Sequence, residues 1–450
     1  HHEISSRREE ILMKFIIDRF DGQQKYKQAY ELSMDEVKGK TLLSLLQHIK
    51  RTQDITLNFT ASCRMAICGA CAVRVNGHSY LACDVKMTQL LKEYENPDSF
   101  TISPLANFRV ISDLVVDWEP SIENLRKIKP TITPKDEFSE HKGCKQTAAQ
   151  MEEVKKQWDC ILCGCCASEC NKLTADASDY MEPFVFTHAW RAAADSRSKN
   201  PLEHLKPAID NGLWNCVHCQ ECADRCPKGI STADDIASLS VMAMKNGFDD
   251  GLGPDHAEAF LTDIIEGSGR LNEIKLALRS EGVIKNMGKM DIAANLMMAG
   301  KMNPLTNLKA ALFYGCHSLR PEKAYGNKES STNPKSFETV VEALGAQIVP
   351  FEKRLDCCGF HASYPAVKSV QKMSSQIVGN TDENGADCVV TPCPLCQMQL
   401  DIYQDRCQEA QNSKVRKPII HLSQLVGLAL GLSNEQLGLD INIVDATELA

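Results

Sequence analysis

Two cysteine runs with one shared spacing constrain this chain more than any other feature. They are Cys160-x2-Cys163-x2-Cys166-x3-Cys170 and Cys216-x2-Cys219-x2-Cys222-x3-Cys226-Pro227. Cysteines three positions apart stay close in space in almost any local fold, so each run must wrap around something its sulfurs share. A disulfide scaffold is the wrong explanation. The chain has 450 residues and 21 cysteines, long enough for two or three domains with real apolar cores. Adjacent pairs such as Cys165-Cys166 and Cys357-Cys358 are also poor disulfide partners for each other. Metal or cluster ligation in a reducing cytoplasm is the better reading.

The repeated run has the spacing of bacterial two-cluster ferredoxins, in which the fourth cysteine of each run ligates the other [4Fe–4S] cluster. One cluster is therefore expected on Cys160, Cys163, Cys166 and Cys226, and the next on Cys170, Cys216, Cys219 and Cys222. Asn171, not proline, follows Cys170. Upstream, Cys63-x4-Cys68-x2-Cys71 followed by Cys83 has the plant-type [2Fe–2S] spacing. Gly69 and the alanines of that loop would let backbone amides approach the sulfides. Downstream, Cys316, Cys357-Cys358-Gly359 and Cys393-Pro-Leu-Cys396 form a five-cysteine set. Zinc takes four ligands, so the fifth cysteine favours a cluster, with structural zinc as the alternative. Cys144, Cys165, Cys388 and Cys407 remain, and are read as small buried side chains.

The elements around these cysteines predict an α+β multidomain protein. Residues 1–12 read as a leader or cloning remnant. Residues 13–131 read as a β-grasp [2Fe–2S] ferredoxin domain. Strands are expected at Lys14–Phe20, Ile55–Phe59, Ala72–Val75 and His78–Leu81, the last two flanking a hairpin signal at Asn76-Gly77. A helix over Thr41–Ile49 has Thr41 as its N-cap. Residues 135–246 read as a helical two-cluster ferredoxin domain, its last helix stopping at Gly247. A helical connector spans 247–306. Residues 307–450 alternate strand and helix, as in a small α/β domain. Strands are expected at Ala310–Tyr314, Gln347–Pro350 and Cys388–Thr391, and a helix at Ser336–Leu344.

Net charge is −9, which argues against nucleic acid or an anionic membrane surface as main partner. No run of 18 apolar residues occurs, so no transmembrane segment is expected. Leu425–Leu432 is too short to span. A cytoplasmic location is expected, with peripheral attachment at the membrane as an alternative.

The stretch Ser62-Cys-Arg-Met-Ala-Ile-Cys-Gly-Ala-Cys71 resembles the [2Fe–2S] loop of succinate dehydrogenase/fumarate reductase iron–sulfur subunits. Ser103–Asp117 and Cys160-Ile-Leu-Cys-Gly-Cys-Cys166 resemble the same family. Many members carry a non-cysteine where Cys219 stands, and so hold a [3Fe–4S] cluster. Cys219 implies a [4Fe–4S] centre here. His256, Phe260, Gly269-Arg270 and Glu273 resemble the helical tail of the small heterodisulfide reductase subunit. Phe313-Tyr-Gly-Cys316, Cys357-Cys-Gly359 and Cys393-Pro-Leu-Cys396 are similar to one cysteine-rich CCG domain of its catalytic subunit. There the five cysteines hold a noncubane [4Fe–4S] cluster that acts on disulfides. The fused arrangement is similar to the B subunits of thiol:fumarate reductases.

No GxGxxG follows a strand and no Walker loop occurs, so the resemblance implies FAD on a separate flavoprotein subunit. This chain is then an electron-transfer subunit of a fumarate reductase or succinate dehydrogenase, not catalytic for the dicarboxylate alone. Electrons would pass between the flavoprotein and a thiol-type donor at Cys316, Cys357, Cys358, Cys393 and Cys396. Alternatives are a quinol-linked enzyme whose CCG domain docks a redox or membrane partner, and a structural zinc domain. His218, His317 and His361 lie near the cysteines. His218 stands where a hydrogen bond would tune a potential, with a satisfied or exposed histidine as the equal alternative for all three. Arg64, Arg74, Lys172 and Lys228 are read as offsetting cluster charge or staying solvated.

Overall fold

The computed structural model describes residues 12–136, 145–255, 304–322 and 329–449. The leader up to Ile11, Cys144, and most of the connector with His256, Phe260, Gly269, Arg270 and Glu273 lie outside the described residues. The chain divides into two compact units. The first takes in His1–Cys170, Glu182–His204 and Arg225–Thr232, the second Asn171–Met181, Leu205–Asp224 and Ala233–Ala450.

The first unit is built on a five-stranded sheet. Its strands are β1 (Leu12–Phe20), β2 (Lys25–Ser33), β3 (Ala72–Val75), β4 (His78–Leu81) and β5 (Ser99–Ser103), in the order β2-β1-β5-β3-β4. β1 pairs antiparallel with β2 and parallel with β5. β3 and β4 form the expected hairpin, and Asn76 and Gly77 both take positive φ, at 48° and 91°. Two such residues in succession make the tight turn whose twist matches the strands. β6 (Val110–Ser112) and β7 (Val115–Val116) make a small separate ribbon.

The helix Leu42–Thr52 starts where the Thr41 side chain accepts a hydrogen bond from the Ser44 amide. It buries Leu42, Leu43, Leu45, Leu46 and Ile49 in one core with Phe15, Ile17, Phe100 and Ile102. Each such side chain is worth roughly 1.5–3 kcal/mol relative to exposure.

Ile55–Phe59, expected as a strand from its alternation, is irregular. A buried arginine organises the residues around it. Arg19, only 3% exposed, reaches Asp54 at 2.6 Å, Thr56 Oγ1 at 3.0 Å and Asp113 at 2.9 Å. Asp113 accepts in turn from the Asn58 amide at 2.7 Å, and the Asn58 carbonyl accepts from the Leu114 amide. With both backbone groups of Asn58 bonded this way, the middle of the segment is held without a ladder partner.

The second unit carries a four-stranded sheet of β8 (Lys309–Leu312), β9 (Gln347–Val349), β10 (Cys388–Thr391) and β11 (Ile419–His421). Its order is β11-β10-β8-β9 and every pairing is parallel. All four residues of β10 are buried, as a central strand covered on both faces requires. The helix Ser336–Ala343 leads to Gly345 at φ 84°, and Thr232–Lys245 leads to Gly247 at φ 79°, the left-handed ends expected of both. No helix among the described residues is long and apolar enough to cross a membrane.

Candidate iron–sulfur centres

In the first unit the loop from Cys63 to Cys71 turns its backbone amides onto its own sulfurs. Met65, Ile67 and Cys68 donate to Cys63 Sγ at 3.4, 3.4 and 3.2 Å. The Ala66 amide donates to Cys83 Sγ at 3.3 Å, and the Cys83 amide to Cys71 Sγ at 3.4 Å. Arg64, Ala66 and Gly69 take positive φ of 59°, 54° and 72°, which lets successive amides converge. Those donors pull the Cys63 thiol down to about 6, whereas burial pushes Cys71 up to about 12. The loop suits a group of bridged anionic sulfurs.

Gly69 has a second role. A Cβ there would stand 2.8 Å from the Cys163 Cα and 2.8 Å from the Ile161 carbonyl oxygen, so the two cysteine loops touch backbone to backbone. Cys160, Cys163, Cys166 and Cys226 line one pocket, closed by Ile161, Phe184 and Ile230 and edged by Lys228. The spacing pairs Cys226 with the earlier run, and these four come together here. Burial pushes the Cys160 thiol up to about 11. Four converging sulfurs, none in a disulfide, two on buried and two on half-buried cysteines, fit a cationic iron core that would hold them as thiolates. Arg191 stacks 4.3 Å above the Trp158 ring beside this pocket.

Cys170 is a buried residue of the first unit, and Cys216, Cys219 and Cys222 are buried residues of the second. Burial pushes Cys216 and Cys219 up to about 11. The His218 amide donates to Cys216 Sγ, and Asn171 Nδ2 donates to Cys219 Sγ, both at 3.4 Å. Asn171 is thus a sulfur hydrogen-bond donor, which proline at that position could not be.

The five C-terminal cysteines also converge. Cys316 Sγ lies 3.7 Å from Cys357 Sγ, and the Gly359 amide donates to Cys357 Sγ at 3.3 Å. A Cβ on Gly315 would stand 2.9 Å from the Cys393 Cβ and 3.1 Å from Cys396 Sγ. Hydrogen bonding with Cys357 and Cys396 draws Cys358 down to about 6. All five are at most 4% exposed. Cys219, Val217, Cys316 and Cys357 share one core, and Cys357 Sγ is 4.0 Å from the Val217 carbonyl oxygen.

Among the other residues singled out, Lys172 is fully buried and ion-paired with Asp179, so it is not solvated. Arg74 serves its own hairpin, donating to the Gly77 carbonyl. The rings of His317 and His361 are 4.8 Å apart, and His218 is 6.3 Å from His361. Cys165, Cys388 and Cys407 are buried as expected, at 1%, 0% and 2% exposure. Sequence reasoning missed Arg320 and Glu221, a buried pair whose members lie beside the cysteine motifs but carry no spacing signal of their own.

Three family models match: a 2Fe-2S iron–sulfur cluster binding domain over residues 14–123, a 4Fe-4S dicluster domain over 156–230, and a cysteine-rich CCG domain over 310–401. The chain is 66% identical over 308 residues to the 8-methylmenaquinol:fumarate reductase iron–sulfur subunit of Wolinella succinogenes, covering 68% of this chain and 94% of that one. This chain belongs to the fumarate reductase iron–sulfur subunits. The subunit is also 66% identical over 146 residues to the membrane anchor subunit of the same Wolinella enzyme, 32% of this chain and 51% of that one. It thus spans about half of that anchor's length. An uncharacterized iron–sulfur protein of Methanocaldococcus jannaschii is 28% identical over 406 residues, 89% of this chain and 73% of that one.

Proposed function

We propose that this fumarate reductase subunit carries electrons from a quinol-class donor on its CCG side to a flavoprotein partner that reduces fumarate. The first three ligand sets are those read from the spacing, and the fourth is the one that the resemblance to CCG domains implies. A [2Fe–2S] centre takes Cys63, Cys68, Cys71 and Cys83. Two [4Fe–4S] centres take Cys160, Cys163, Cys166 and Cys226, and Cys170, Cys216, Cys219 and Cys222. A noncubane [4Fe–4S] centre takes Cys316, Cys357, Cys358, Cys393 and Cys396. When bound, these clusters supply one-electron carriers. FAD belongs to the partner, where fumarate takes up the two electrons and two protons that a quinol gives up.

The observation that carries this reading is the shared core of Cys219, Cys316 and Cys357. It puts a dicluster cysteine against the CCG set, as a relay needs. At the other end, Gly69 against Cys163 brings the [2Fe–2S] loop onto the next one. A quinol fits better than the thiol donor for two reasons. Both Wolinella relatives are named for an 8-methylmenaquinol substrate. A dithiol substrate must also reach a sulfur or its metal directly, and the five sulfur-bearing residues are at most 4% exposed. A zinc reading leaves one of five converging thiols without a role.

The test is fumarate reduction by the subunit assembled with its flavoprotein, driven by a reduced menaquinone or by a dithiol. Menaquinol should support turnover and the dithiol should not. Dithiol-driven turnover without menaquinol-driven turnover would overturn the donor assignment. Stoichiometric zinc in place of iron and sulfide would overturn the C-terminal ligand assignment.

A further inference from the structure

The helix Cys316–Leu319 is capped by Arg320, whose amide donates back to the Cys316 carbonyl at 2.9 Å. Arg320 is 2% exposed, so its cation is out of water. Its Nε lies 2.5 Å from Glu221 Oε2, and its Nη2 donates to the Leu355 carbonyl at 2.7 Å. Glu221 stands between Cys219 and Cys222 and is itself 4% exposed. A second tie runs alongside, from the Glu322 amide to Asp224 Oδ1 at 2.9 Å. Leu355 immediately precedes Asp356 and the Cys357-Cys358 pair. One guanidinium is therefore fastened to three segments, each carrying proposed cluster ligands.

We propose that Arg320 is a positioning residue for electron transfer across this junction, fastening the Cys219 segment to the Cys316 and Cys357 segments while its buried charge favours the reduced form of both centres. The proposal rests on the ligand sets given above. The physical argument is one of sign. Reduction adds negative charge to a cluster, and a fixed cation in a low-dielectric surround lowers the energy of that added charge. Glu221 opposes this, so the pair sets a balance that either partner can tip. A lysine would keep the charge but lose the planar fork that reaches both Glu221 and the Leu355 carbonyl.

The test uses the full chain with its flavoprotein and reads midpoint potentials by EPR-monitored redox titration. Arg320→Gln should lower the potentials of the centres on the Cys219 and Cys316 sets, leaving those on the Cys63 and Cys160 sets unmoved. Glu221→Gln should raise the same two potentials. Arg320→Lys should restore most of the shift seen in Arg320→Gln. A purely structural role would not produce opposite shifts from the two partners. Potentials unmoved in both variants, or shifted alike in all four centres, would overturn the proposal. If Arg320→Gln fails to retain its clusters, Glu221→Gln decides the sign alone. Iron and sulfide analysis of the unsubstituted chain tests independently whether the four clusters are present.

Discussion

Gly69 and Cys163 meet so closely that a methyl group on Gly69 would stand 2.8 Å from the Cys163 Cα. The neighbour is backbone, so it has no rotamer with which to give way. The [2Fe–2S] loop and the loop of the first dicluster run are thereby held in contact, with Cys71, Cys163 and Cys165 in the core that the β-sheet and its helix also fill.

Gly69→Ala should therefore be costly. Overpacking against backbone costs roughly 1–3 kcal/mol, and the left-handed φ adds about 1–2 kcal/mol. Thermal unfolding should shift down, and EPR should show both the [2Fe–2S] centre and the centre on the Cys160 set perturbed. A variant with wild-type stability and spectra would mean that the loops do not pack as described.

Arg19→Met should release the Ile55–Phe59 segment. It leaves Asp113, 3% exposed, without its cation, and breaking a buried pair costs roughly 3–5 kcal/mol. Just downstream, the Thr60 hydroxyl donates to the Ala70 carbonyl inside the [2Fe–2S] loop, so bleaching of that centre's absorbance should quicken in mild denaturant. Unchanged unfolding midpoint and bleaching rate would count against the network.

Cys219→Ser removes one proposed ligand and leaves Cys170, Cys216 and Cys222. Thiolate binds iron better than a hydroxyl, being softer and ionised more readily. Conversion of that centre towards [3Fe–4S] is expected, visible by low-temperature EPR of the oxidised protein. Iron content and spectrum identical to wild type would remove Cys219 from the ligand set.

Replacing Cys357 and Cys358 together by serine should abolish the C-terminal centre. The other three centres use cysteines far upstream and should persist. Fumarate reduction by the complex should continue with reduced viologen and collapse with menaquinol. Equal loss of both activities, with the upstream centres intact, would mean that the CCG domain is not a donor-specific entry point.

The sequence by itself determined the cysteine groups, because ligand spacing is a local property of the chain. It also determined most strands and helices around them, where side-chain alternation, the Thr41 cap and the Asn76-Gly77 turn all act over a few residues. Ile55–Phe59 escaped that reading because its pattern is a strand's, while its hydrogen bonds are claimed by Arg19 and Asp113 from elsewhere in the chain. Asn171 stands in sequence only as a departure from proline, whereas in the fold its side-chain amide donates to Cys219 Sγ. Only the tertiary structure decided that Gly69 makes a backbone contact with Cys163, that Cys219 shares a core with Cys316 and Cys357, and that Arg320 closes on Glu221. The reason is the same in each case. These partners are distant in sequence, none carries a periodic signal, and contacts between them exist only once the sheets and loops have packed.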